Sequence, residues 1–196
     1  MPPRRSLDPV VAGALASAGF LAWYMATRPG GSPVTLAQEA QAVLLGSRTL
    51  TPAQRAMVDV IGQEFAAAGL GWLTVAAVAN AYAESRLDPL AGGDSGESIG
   101  LFQLYSHGAG EGMSIEQRQD PRQNTRRIIE VVQGGEGAPV RAARGLASNA
   151  ELASLFAHHV ERCSECGWNE GDAQLAIRAG HVTEIYGSEI AAVVPR

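Results

Sequence analysis

The chain has 196 residues, 46% of them hydrophobic, with 15 Lys and Arg against 20 Asp and Glu for a formal net charge of -5; this is enough apolar material for one domain with a real core. The acidic total and the scatter of the basic residues exclude a dedicated nucleic-acid surface, and no direct nucleic-acid recognition is expected. No phosphate loop, GxGxxG or HExxH motif is present, so any chemistry rests on side chains, with no cofactor.

In chain order, MPPRRSLDP leads into an uncharged apolar run over residues 10–26, closed by Arg28. At about 1.5 Å per residue the run spans roughly 25 Å, slightly short of a hydrocarbon core of about 30 Å. Trp23 and Tyr24 suit an interface, and Arg4 and Arg5 favour a cytoplasmic N-terminus. The run reads as a membrane-interacting helix. A cleaved signal peptide is the competing reading, although a cut after Ala26 would put Tyr24 where a small residue is needed. TRPGGSP over 27–33 is a linker, which divides the chain into an N-terminal region, 1–33, and a main domain, 34–196.

Within that domain a short helix is expected over 36–45. Thr51-Pro52 then reads as a cap and first helical position for a helix over 52–68, with a core stripe of Met57, Val60, Ile61 and Phe65 and a stop at Gly69. The next helix, 73–85, sets Val75, Val78, Ala79 and Tyr82 on one face, with Glu84 just beyond them. Residues 88–98 are too rich in Gly and Asp to stay helical, and their glycines serve turns better than a phosphate cradle. Asp120-Pro121 opens a helix to residue 132. Ser148 with Glu151 is a capping box before Leu152, Leu155, Phe156 and Val160. A last helix covers 172–186 and stops at Gly187. With no sustained strand alternation, the expected class is all-α with room for a small β-hairpin in the glycine-rich loop, preceded by the N-terminal hydrophobic helix.

Cys163 and Cys166 lie near His158, His159 and His181. Adjacent histidines on a helix point apart and Cys163 continues an apolar stripe, so a local disulfide or free thiols are expected and no metal site. Tyr105, Trp168 and Tyr186 can stack on a sugar ring or fill core and rim positions.

Glu84-Ser85 at a helix end, then Gly100-Leu101-Phe102-Gln103, then Asp120-Pro121-Arg122-Gln123-Asn124 carry the most specific pattern in the chain. In this order and spacing they resemble the lysozyme-like soluble lytic transglycosylases and the muralytic domains of bacteriophage virions and endolysins, over roughly residues 73–186. The AYNxG segment of those families is not found; Phe156 and Val160-Glu161-Arg162 stand in that region. The resemblance implies a lysozyme-like fold and cleavage of the β-1,4 bond between N-acetylmuramic acid and N-acetylglucosamine, with peptidoglycan glycan strands as the partner. Glu84, held protonated by apolar walls, would be the general acid, supported by Ser85, with Gln103 and Tyr105 near the glycan and Phe102 packed beneath. Asp94 and Glu97 are the candidates for a second carboxylate. A virion-borne lysin assisting genome delivery, with the apolar helix contacting a host membrane, other virion proteins or further copies of the chain, is the expected setting. The alternatives are a bacterial transglycosylase anchored in the inner membrane and a non-enzymatic virion protein of the same fold.

Overall fold

The computed structural model describes residues 50–161 and 173–195. The expected helix over 36–45, the division at residue 33, Cys163, Cys166 and Trp168 lie outside the described residues. The expected membrane contact is corrected: no helix among the described residues is long and apolar enough to cross a membrane, and the stretch 10–26 on which that reading rested lies outside them.

The main region is mostly helical with one small antiparallel sheet. Helix α1 (Pro52–Ala67) starts from a complete Thr51–Gln54 capping box, in which the Gln54 N–H donates to the Thr51 hydroxyl at 3.2 Å and the Thr51 N–H donates to Gln54 Oε1 at 2.9 Å. A 3₁₀ turn (Gly71–Leu73) leads into α2 (Thr74–Ser85). The glycine-rich loop holds three two-residue strands, β1 (Gly92–Gly93), β2 (Ser98–Ile99) and β3 (Leu104–Tyr105), in the order β1-β2-β3, with Gly92 opposite Ile99 and Ile99 opposite Leu104. Then follow α3 (Ile115–Gln119), α4 (Pro121–Gln133), α5 (Ala138–Ala142), α6 (Asn149–Phe156), a π-turn (Ala157–Glu161), α7 (Ala173–Tyr186) and α8 (Ser188–Ala191). The sequence does not announce α3, α5 and α8, because helices of five, five and four residues are too short to show a period.

Helix α2 is the centre of the packing. Ala76, Ala77, Ala79 and Ala81 are fully buried, and their small side chains let α1, α6 and α7 approach its backbone closely. Asn80 fixes the contact with α6, its Nδ2 donating to the Ala76 carbonyl at 2.8 Å and to the Ala153 carbonyl at 2.9 Å. Phe156 joins the two halves of the core, its ring 6.5 Å from that of Phe65 and 6.2 Å from that of Phe102.

A buried carboxylate ties α1 to α4. Glu64, whose side chain is 9% exposed, accepts from Arg126 Nε at 2.7 Å and Arg122 Nη1 at 2.6 Å. The Arg126 hydrogen bond, seconded by Arg122, outweighs the opposing effect of burial and holds the Glu64 carboxyl below its ordinary range. A folded-state pKa lowered in this way adds stability that is complete above the unfolded value and is lost as pH falls through the folded one. The expected result is a melting temperature that drops on acidification below the usual carboxylate range, with a shallower drop in Glu64→Gln, read by thermal melts over a pH series.

Candidate active site

Glu84 occupies the last turn of α2, and the chain leaves that helix abruptly. Arg86 (φ 55°) and Leu87 (φ 61°) both adopt left-handed backbone, and Asp94, Ser95 and Gln103 do so further on. These are the positive-φ non-glycine residues among those described, and all five fall between 86 and 103. Backbone of this kind costs of order 1–3 kcal/mol per residue and persists only where surrounding contacts enforce it, which is common at functional sites.

The enforcing contacts come from the sequence motifs. Asp120 caps α4 by accepting from the Gln123 N–H at 2.8 Å, with Pro121 in the first turn, and this delivers Asn124 to the interior. Asn124 is fully buried; its Oδ1 accepts from the Phe102 N–H at 3.1 Å, and its Nδ2 donates to the carbonyls of Arg118 at 2.7 Å and Ile99 at 3.2 Å. The Asp-Pro-x-x-Asn segment is therefore the clamp of the Gly-Leu-Phe-Gln segment. Gly100 (φ 87°) passes through the tightest point of that clamp. Arg118, also buried, donates to the carbonyls of Glu97 at 2.6 Å and Leu104 at 3.1 Å and so holds the sheet from below.

Ser85 links this loop to α2. Its hydroxyl donates to the Leu101 carbonyl at 2.8 Å, with the Ala81 carbonyl at 2.9 Å. Its support for Glu84 thus runs through the backbone on either side. Gln103 donates from Nε2 to the carbonyls of Gly100 at 3.0 Å and Ala91 at 3.1 Å, bracing the hairpin from within. Phe102 is buried in the core. Asp94 accepts from the Ser98 hydroxyl and Glu97 from the Ser106 hydroxyl, so both candidate second carboxylates are engaged within the hairpin. Tyr105 is 45% exposed and meets His107 edge to face at 5.7 Å, leaving much of its surface open on the outer edge of the sheet.

Two groups outside those motifs interact with Glu84. Arg178 of α7 donates from Nη2 to Glu84 Oε1 in a salt bridge, and from Nη1 to Gln174 Oε1 at 2.5 Å. Its side chain is 7% exposed and that of Glu84 21%. Glu161, at the end of the π-turn, has both carboxyl oxygens buried although the residue as a whole is partly exposed. Burial, and then the negative charge of Glu84, push the Glu161 carboxyl well above its usual range, while Arg178 acts in the opposite sense. Where apolar walls were expected, a guanidinium lies against Glu84 and a second carboxyl group lies within electrostatic reach.

Arg178 did carry a signal. It shares the buried stripe of α7 with Val182 and Ile185, a charge where the helical period calls for an apolar residue. Glu161 carried less, because the π-turn changes the phase at which side chains meet the core, and an α-helical count from Phe156 misplaces it.

No protein-family model, no curated protein and no solved structure matches this chain.

Proposed function

We propose that the chain is a peptidoglycan glycosidase with a lysozyme-like domain, cleaving the β-1,4 bond between N-acetylmuramic acid and N-acetylglucosamine with Glu84 as general acid. The observation that carries the reading is the convergence on one helix end of a partly accessible glutamate, a cluster of left-handed residues and the Asn124-clamped Gly-Leu-Phe-Gln segment. Each of these follows from a motif whose order resembles the muralytic families. Glu84 protonates the leaving oxygen as the bond breaks and then, as carboxylate, takes a proton from the acceptor. That acceptor is water in a lysozyme and the muramoyl 6-hydroxyl in a transglycosylase. The setting we favour is a lysin carried by a bacteriophage particle for local wall opening.

Digestion of purified peptidoglycan by the full chain, followed by mass spectrometry, tests the reading. Release of disaccharide-peptide fragments is the expected result, and a 1,6-anhydromuramoyl end differs from a reducing end by one water. Intact peptidoglycan after prolonged incubation with folded protein would contradict it.

A further inference from the structure

Arg178 and Glu161 present a mismatch that the Glu84 salt bridge leaves standing. Arg178 Nε is buried and donates to nothing, and both oxygens of Glu161 are buried and accept nothing, among the described residues. A buried donor and buried acceptors are costly when left unpaired, and these two side chains also interact electrostatically. Such a cost is tolerated where an alternative pairing is used at another stage. The π-turn that ends in Glu161 belongs to a class of helix irregularity frequent at functional sites.

We propose that Glu161 is the second carboxyl group of this site, exchanging one proton with Glu84 as the Arg178 guanidinium passes from one carboxyl group to the other. In the resting arrangement Arg178 holds Glu84, and Glu161 carries the proton. A carboxylate paired with a guanidinium accepts protons and does not donate them until the pair opens. When a glycan strand displaces Arg178 from Glu84, the guanidinium turns its free Nε–H toward Glu161. The O–H bond of Glu161 breaks, an O–H bond forms on Glu84 through intervening water, and the guanidinium stays charged throughout. The net charge of the cluster is unchanged, and Glu84 is now the acid that glycoside cleavage needs. Glu161 acts through Glu84 and is a positioning residue in this scheme.

Among the described residues, the arginines of α4, which packs on the π-turn, are engaged elsewhere. On α4, Arg126 is committed to Glu64 and Arg127 to Glu130 and the Ala109 carbonyl. His158 and His159 sit on the turn itself, and burial, with His158 adding to it, holds His159 below its ordinary range, so that it is neutral at pH 7.

The scheme rests on the glycosidase reading for its role but not for its first test. Difference infrared spectra of the full chain at neutral pH should show the carbonyl band of a protonated carboxyl group that is missing in Glu161→Gln. Absence of that band from the wild-type protein overturns the proposal whether or not peptidoglycan is cleaved. If cleavage is observed, Glu161→Gln, with its permanently neutral side chain, should lower kcat at least 10-fold at neutral pH with KM unchanged. Its pH profile should change shape, and Glu161→Asp, which restores a carboxyl group, should recover part of the rate near the original optimum. A Glu161→Gln pH profile superimposable on the wild type, or scaled down equally at every pH, refutes the exchange.

Discussion

Glu84→Gln is expected to reduce glycan cleavage by about 100- to 10,000-fold, the usual contribution of a positioned general acid. The substitution keeps the shape of the side chain and an oxygen that can accept from Arg178 Nη2, so the geometry at the end of α2 is retained. What it removes is the transferable proton. The activity loss should therefore far exceed any loss of folded protein, as judged by circular dichroism on the same samples. A variant that cleaves at the wild-type rate would remove Glu84 from the mechanism.

Gly100→Ala is expected to be strongly destabilising. A Cβ at this position would lie 2.1 Å from the Arg118 carbonyl oxygen and 2.3 Å from Asn124 Nδ2, and the φ of +87° already disfavours an L side chain. Neither neighbour can retreat easily, since one is backbone and the other makes three hydrogen bonds. Moving Asn124 would leave the Phe102 N–H and two carbonyls short of partners in the interior. A loss of about 3–5 kcal/mol follows from strain and unsatisfied polar groups together. Gly92→Ala, where an added Cβ meets open space, serves as the control and should stay within about 0.5 kcal/mol of wild type. Urea denaturation of the pair measures both, and equal stabilities would show that the clamp does not hold the loop.

The helices were legible where local chemistry and periodicity agree. Thr51, Asp120 and Ser148 announce α1, α4 and α6 because a side-chain acceptor ahead of an apolar period has few other uses, and each caps its helix in the structure. Gly187 likewise marks the end of α7. The loop after α2 was legible only as a loop. Its strands are two residues long, and their register is set by Asn124 and Arg118, more than ten residues downstream, which no local pattern encodes.

The motif containing Glu84 pointed to the end of α2, but the groups around Glu84 came from elsewhere. Arg178 lies 94 residues away in sequence, and its pairing with Glu84 exists only because α7 packs on α2. Asp94 and Glu97 drew attention through proximity along the chain, yet short loop carboxylates readily bond nearby hydroxyls, and Ser98 and Ser106 take that role here. The membrane reading came from the hydropathy and flanks of residues 10–26, and no described helix is long and apolar enough to cross a membrane.

The most direct test of the account is a crystal structure of the Glu84→Gln protein with a soluble strand of alternating N-acetylglucosamine and N-acetylmuramic acid. The account places a bridging glycosidic oxygen within about 3 Å of the residue 84 carboxamide, with Arg178 turned away from it. A strand seated elsewhere on the protein, with residue 84 still closed under Arg178, would contradict it.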